Sequence, residues 1–598
     1  MNASTVQQAS VEAPPALPYA SSTTLDAATS VVDRLVNAEM GKLTQWISPA
    51  SVLGAYADWY VHLVMAPGKR QKLADEALHA LGVLALYAAA APRSHPDALI
   101  EPLPQDKRFD APEWQQWPFN VIYQSFLSSQ RWWHHATEDV RGVTRHHERV
   151  VTFLTRQWLD MFSPSNWLLS NPQVLRATLE QGGMNLARGA QYWWHDLVRQ
   201  FTGEGPEGIE QFLPGQSIAC TPGKVVYRNG LVELIQYDAQ TPTVLRNPVL
   251  ITPSWILKYY ILDLSAGNSL VRYLVERGHT VFMISWRNPT SGDRELGMDD
   301  YLQTGLLQSL GVVSEICPSA PINAVGYCLG GTLLSMAAAL LARRGDTPLQ
   351  SLSLIASEID FSEPGELGLF IDESQLAYIE DIMWEQGYLD GKQMLGAFAV
   401  LNSRDLLWSR MVRDYLMGER APLTDLAAWN ADATRMPYRQ HREYLERLYL
   451  NNDLAQDRYE IDGRPIALDD IHLPVFALGT VRDTVSPWRS VYKVHHLLPG
   501  TDVTFCLTSG GHNVGVVNPP DGDGRKSYRI ALRQAGAHYV DPDTWLARAE
   551  VHSGSWWPAW QDWLRARSGD EIAPRAAGAP GAGYPVLGDA PGTYVHGR

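Results

Sequence analysis

The fold class this sequence predicts is α/β, with a cap of helices inserted late in the chain and a mostly helical domain in front. Three observations carry that expectation. From about residue 206, apolar runs such as KVVYRN, LVELIQY, PVLITPSW, HTVFMISW and PINAVGY alternate with helical patterns such as NSLVRYLVERG and GTLLSMAAALLARRG. That alternation is the order of a parallel sheet with helices on both faces. The runs PVLIT and TVFMIS are almost wholly apolar, as strands covered on both sides should be. Before residue 205, apolar residues recur at helical spacing and strand-like runs are scarce.

Taken in order, residues 1–25 are rich in Ala, Ser, Pro and Thr without a period and are expected to form a mobile tail. Residues 26–205 read as the helical N-terminal domain. VVDRLVNAEMGKLTQWI and VTFLTRQWLDMF are helical, and the proline-containing breaks APRSHPD, PLPQDKRFDAPEW and SPSNWLLSNP separate such segments. The texture changes at TGEGPEG, and residues 206–598 read as the catalytic domain. Within it, residues of about 361–462 exceed what the sheet needs and have helical texture (YIEDIMWEQG, KQMLGAFAVL, EYLERLYL). They are expected to cap the cleft and restrict water entry. The Gly/Ala/Pro-rich segment from Arg575 is expected to be extended.

Composition narrows the function. The 598 residues include 49 Lys+Arg against 65 Asp+Glu, a net charge of −16, which argues against a nucleic-acid partner. The cysteines, Cys220, Cys317, Cys328 and Cys506, are too few for a disulfide framework and include no C-x-x-C pair. No metal-ligand cluster or dinucleotide-binding loop is evident. There is no secretory signal pattern. The longest small/apolar run, Ala80 to Ala91, falls short of the roughly 20 residues a membrane helix needs. A cytoplasmic protein without a transmembrane segment is expected. The 21 tryptophans fit either a Trp-rich core or a surface that meets something hydrophobic.

The most informative stretch is Gly326-Tyr327-Cys328-Leu329-Gly330-Gly331, a G-x-C-x-G between the short apolar strand Ile322 to Val325 and the helix Thr332 to Arg343. It matches the nucleophile elbow of α/β-hydrolases, where the nucleophile sits on a sharp strand-to-helix turn. Gly326, Gly330 and Gly331 are explained by that turn, since a Cβ there would collide with neighbouring strand or helix. Cys328 would then face the cleft, and the Leu329 N–H at the helix start could donate to an oxyanion.

Such folds order their residues nucleophile, acid, histidine. LPVFALGTVRDTVSPW places Asp483 after the strand Val475 to Gly479, and DVTFCLTSGGHNVG places His512 after the strand Val503 to Leu507. Their separation, 512 − 483 = 29 residues, holds one helix and one strand. His472 precedes its strand, His495 and His496 lie on the intervening helix, and His552 comes well past the last strand. A thiol in place of the usual serine changes the chemistry. Its attack on an acyl thioester yields another thioester, so the acyl group stays activated for transfer to an alcohol.

Together with TPGKVVYRNGLVELIQY (221–237), KYYILDL (258–264), SWRNP (285–289), DYLMG (414–418), WNADATRMP (429–437), GVVNPP (515–520), SGSWWPAW (553–560) and SPSNWLLSNP (163–172), the elbow resembles the polyhydroxyalkanoate synthases. The likeness is greatest to the class I type, which acts as a single long polypeptide, and it spans roughly residues 105 to 598. It implies an acyltransferase that polymerises (R)-3-hydroxyacyl-CoA, short-chain 3-hydroxybutyryl-CoA first among candidates, into polyester with release of CoA. It further implies Cys328 as acyl-carrying nucleophile, His512 as general base and Asp483 as its partner or as an activator of the acyl hydroxyl. Leu329 and Ile256 would be the oxyanion-hole N–H groups. No cofactor is implied, because CoA belongs to the substrate. The implied partners are the growing polyester, the granule surface and a second copy in a homodimer.

Four sites depart from the family pattern: Leu257 for Asn, Thr484 for His after the Asp, Asn513-Val514-Gly515 for Ile-Ala-Gly, and Leu401 to Leu406 for L-R-x-N-D-L. The bulkier Val514 is expected to narrow the acyl pocket. The competing readings are a cysteine-dependent thioesterase of the same fold and a non-catalytic granule-binding protein.

Overall fold

The computed structural model describes residues 23–597, apart from 45, 94–95, 104, 347, 392, 395, 397–406 and 521–524. Residues 1–22, most of the expected tail, lie outside the described residues, as does the departing segment Leu401 to Leu406. Residues 23–25 already belong to the first helix, which corrects the expected tail end at 25.

Seven helices come first: α1 (Thr23–Leu43), α2 (Pro49–Val64), α3 (Pro67–Ala90), α4 (Phe119–Thr137), α5 (Arg145–Met161), α6 (Pro172–Glu180) and α7 (Met184–Thr202). Several breaks read from the sequence serve as helix starts. Pro49, Pro67 and Pro172 occupy the first turns of α2, α3 and α6, where a missing N–H costs nothing. Ser48, Thr144 and Asn171 accept from backbone N–H groups of α2, α5 and α6. α3 is a mostly exposed helix of 24 residues, long and apolar enough by length and composition to cross a membrane. The uninterrupted run at Ala80 to Ala91 understated it, because the helix carries its apolar character across scattered polar positions.

The sheet has eleven strands among the described residues. They are β1 (Gly223–Arg228), β2 (Val232–Tyr237), β3 (Val249–Thr252), β4 (Val281–Trp286), β5 (Ile322–Tyr327), β6 (Leu349–Ile355), β7 (Val475–Thr480), β8 (Val503–Thr508), β9 (Ser527–Arg533), β10 (Val551–Ser553) and β11 (Gly588–Asp589). Their spatial order is β10-β9-β8-β7-β6-β5-β3-β4-β2-β1-β11. The run from β4 to β8 is parallel, and the outer strands are antiparallel. All residues of β2, β3, β4, β5, β7 and β8 are buried, which is why β3 and β4 read as nearly continuous apolar runs. Helix α8 (Leu329–Arg344) follows β5 and is buried from Leu329 to Leu341. Arg343 and Arg344 lie in its last turn and Gly345, at φ 71°, closes it, a favourable charge placement and C-terminal cap.

Between β6 and β7 lie α9 (Glu373–Gln386), several short helical turns and two small strand pairings, Tyr388–Leu389 with Met436–Pro437 and Glu460–Ile461 with Arg464–Pro465. The N-terminal helices dock onto this insertion. Asn37 donates to Asp381 on α9 at 2.8 Å, and Gln375 accepts from the Ser48 N–H at 2.7 Å. On α7, Asn185 donates to the Leu416 carbonyl at 2.8 Å and Asp196 accepts from Arg420 at 2.6 Å.

The C-terminal segment is extended and firmly tied. β11 pairs with β1. The wholly buried carboxylate of Glu233 on β2 accepts from the Thr593 and Tyr594 N–H groups at 2.8 and 2.9 Å. Lys258 donates to the Gly597 carbonyl at 2.6 Å.

Candidate active site

Cys328 occupies the turn between β5 and α8 at φ 53°, ψ −127°, a conformation that non-glycine residues adopt only under strong local constraint. Its N–H donates to the Ile355 carbonyl at 2.9 Å. The glycines make the turn possible. A Cβ on Gly326 would strike the Gly331 backbone, one on Gly330 would strike the Thr252 and Pro253 carbonyls, and one on Gly331 would strike the Ser357 hydroxyl. The first turn of α8 leaves its N–H groups without helical acceptors, and the Leu329 N–H is among them. The Ile256 N–H has only a long 3.5 Å contact, with the Ser254 hydroxyl. The loop bearing Ile256 is pinned by the cap, since Thr434 donates to the Trp255 carbonyl at 2.6 Å and its N–H to the Ile256 carbonyl at 3.2 Å.

Asp483 follows β7. One of its oxygens accepts from the Val485 and Ser486 N–H groups at 2.9 and 2.8 Å, the other from the Thr480 hydroxyl at 3.1 Å. That second oxygen also meets His512 Nδ1 at 2.8 Å, which leaves Nε2 for the thiol side. Burial works against a charged ring, yet Asp483 and the neighbouring Cys328 thiol outweigh it and hold the imidazole pKa well above its usual value. The ring is thereby a strong acceptor for a thiol proton. Tyr327 lies beside it with ring centroids 5.7 Å apart and donates to Asn513 at 2.6 Å.

A cavity of about 30 Å³ opens on Cys328, between Ile256, Leu329, Thr332 and Glu358 on the sheet side and Phe361, Leu367, Tyr444 and Tyr449 from the cap. It adjoins an apolar cavity of about 120 Å³ that shares Ile256, Leu329, Leu367 and Tyr444 and runs past Leu389 and Met436 to Trp46 and Ile47. A separate cleft of about 540 Å³ lies between α4, α5 and the loop after β7, and reaches Asp483 and Thr484.

Cys328, Asp483, His512, Leu329 and Ile256 therefore converge at the C-terminal edge of the parallel strands. His495 and His552 do not. His495 accepts from Arg533 at 3.1 Å and burial pushes its pKa down to about 3, while His552 stacks on Tyr528 at the sheet's far edge. Among the departures, Leu257 bridges to Ala433 in the cap and Thr484 lines the 540 Å³ cleft. The expectation for Val514 is corrected: it is 51% exposed and lines neither cavity beside Cys328, because its turn aims it outward. Sequence reasoning missed Glu358, Tyr444 and Tyr449. Glu358 stands just beyond a central parallel strand, the place where α/β sheets put their ligands, and that position was the available signal.

Comparison with known proteins agrees over most of the chain. Family models described as poly-beta-hydroxybutyrate polymerase N-terminus match residues 105–274 and 27–69, and the α/β hydrolase fold matches residues 247–519. The chain is 39% identical over 506 residues to the poly(3-hydroxyalkanoate) polymerase of Methylorubrum extorquens, covering 83% of this chain and 82% of that protein. It is 37% identical over 507 residues to the polymerase subunit of Rhizobium etli (83% and 78%). To that of Cupriavidus necator it is 35% identical over 500 residues (82% and 83%).

Proposed function

Because the chain belongs to the poly(3-hydroxyalkanoate) polymerase family, we propose that it polymerises (R)-3-hydroxyacyl-CoA through an acyl thioester on Cys328, as a class I enzyme with short-chain preference. His512 takes the Cys328 proton as general base. The thiolate adds to the substrate's thioester carbonyl, and the Leu329 and Ile256 N–H groups receive the oxyanion. Collapse expels CoA, which leaves with the proton held on His512. The 3-hydroxyl of one acyl unit then loses its proton to the same base and attacks a second acyl thioester, forming the polymer's ester and freeing the thiol. Asp483, saturated by four hydrogen bonds, is assigned to orienting His512 rather than to removing that hydroxyl proton.

The observation that carries this reading is a cysteine on a nucleophile elbow, served by a His–Asp pair and covered by an apolar cap. A cap that limits water favours an alcohol acceptor over hydrolysis. The short-chain preference rests on the family resemblance. The exposed apolar residues of the N-terminal helices support polyester-granule contact in the cytoplasm, and the homodimer rests on the family resemblance alone.

The test is incubation of the protein and its Cys328→Ala variant with (R)-3-hydroxybutyryl-CoA, following released thiol and acyl product together. Thiol release with turbid polymer, absent from the variant, is expected. Release of free 3-hydroxybutyrate alone would replace this reading with a thioesterase.

A further inference from the structure

Glu358 follows β6 and lines the cavity on Cys328. The residue is 3% exposed, and its Oε1 is buried without a hydrogen-bond partner. Leaving such an atom unpaired costs free energy, and structures tolerate it where a ligand completes the bond. Burial, reinforced by the charge of Asp483, holds the carboxyl pKa well above the usual carboxylate range. That environment favours the neutral form over the charged one, and a neutral carboxyl can both donate and accept. Across the same cavity, the Tyr444 hydroxyl is committed to Tyr449 at 3.0 Å, and the remaining wall is largely apolar. The His–Asp pair makes its own bonds without Glu358. No step of the proposed chemistry uses it.

Resting on the reading of Cys328 as the acyl carrier, we infer that Glu358 is a specificity-determining residue: its side chain hydrogen-bonds the oxygen at C3 of the acyl unit on Cys328. Cys328 and Glu358 line the same cavity of about 30 Å³, so the first atoms of an acyl chain on the sulfur lie beside Glu358. A hydroxyl there, or the ester oxygen that replaces it after chain growth, meets a group that can act as donor. An acyl chain without that oxygen leaves the buried Oε1 unpaired.

The experiment compares (R)-3-hydroxybutyryl-CoA with butyryl-CoA in single-turnover acylation of Cys328, read by CoA release and by intact mass of the protein. It uses the full chain, Glu358→Leu and Glu358→Gln. Wild type is expected to acylate faster with the hydroxylated substrate. Glu358→Leu is expected to shrink the ratio of the two rates at least ~10-fold, since a site built for a hydroxyl discriminates strongly against its absence. Glu358→Gln, neutral and still a donor, is expected to keep most of that ratio. A ratio in Glu358→Leu within about twofold of wild type, or both rates falling together, overturns the assignment while the acyl-cysteine reading stands. No adduct on Cys328 in the wild type overturns that reading, and this one with it.

Discussion

The sheet region encloses its tryptophans, whereas the N-terminal helices bury Trp114 and leave six others exposed. Trp255, Trp429, Trp556, Trp557 and Trp560 are fully enclosed around the sheet and under the cap, with Trp556 and Trp557 donating to the Gly515 and Val516 carbonyls behind His512 at 3.0 Å. Trp117, Trp133, Trp158, Trp167, Trp193 and Trp194, all N-terminal, are exposed, and so are Leu81, Leu86, Leu169, Leu179 and Phe201. Among the described residues no tryptophan after residue 205 is exposed. The first set holds a catalytic loop in place. The second leaves large apolar side chains in water, and the proposed contact with a polyester surface rests on them. Chemistry and attachment are thus expected to fail separately.

The sharpest way to break this comparison is Cys328→Ala. Thiol release should disappear while sedimentation with preformed polyester particles is unchanged; loss of both would mean the regions are not separable. Asp483→Asn should follow, lowering turnover roughly 10³-fold, because the His512 ring loses the acceptor that sets its tautomer; steady-state thiol release measures it. Gly330→Ala places a methyl group on two backbone carbonyls that cannot turn aside, and should destabilise the sheet region by about 1–3 kcal/mol. Gly331→Ala meets the Ser357 Cβ as well as its hydroxyl, and only the hydroxyl can rotate away, so it should destabilise by a similar amount; denaturant unfolding of the two variants measures both.

Acid provides a milder separation. Burial lowers the pKa values of His279 and His441 to about 4 and of His495 to about 3, and all three lie in the sheet region or its cap. Below the unfolded value of about 6.5 the unfolded chain binds protons that the folded chain refuses, so stability falls with pH, by roughly 1–2 kcal/mol per histidine at pH 5. His512, whose pKa is raised, contributes its slope above 6.5 instead. Denaturant midpoints at pH 7 and pH 5 should therefore fall for the sheet region, with Trp fluorescence as the probe. The smallest effect is expected from Leu81→Ser with Leu86→Ser, a few-fold loss of particle binding at constant thiol release, since side chains resting on a surface bury only a small part of the area behind the roughly 1.5–3 kcal/mol of full burial.

What could be read from the chain follows the same division. Cys328, Asp483 and His512 were legible because each sits on a turn whose chemistry is local: glycines that admit no Cβ, and loops directly after apolar strands. The sheet was legible from strands buried on both faces. Glu358 was not, because a carboxylate after a strand is ordinarily solvated, and only the cap, folding back from residues far along the chain, encloses it. The outward aim of Val514 depends on the turn after Gly510, at φ 110°, and no periodicity reports that. The cap could be inferred as surplus length but not shaped, since its contacts with α1 and α7 join residues more than two hundred positions apart.

The tie between Lys258 and Gly597 bears on the order in which the molecule folds. Lys258 stands two residues beyond Ile256, and the carboxylate of Glu233 accepts from Thr593 and Tyr594. Both ties join residues more than three hundred positions apart. Contacts of such long span are reached late, after more local pairings have met the cost of closing shorter loops. The parallel strands can therefore assemble first, while the antiparallel edge of the sheet and the loop that bears Ile256 are latched at the end of folding.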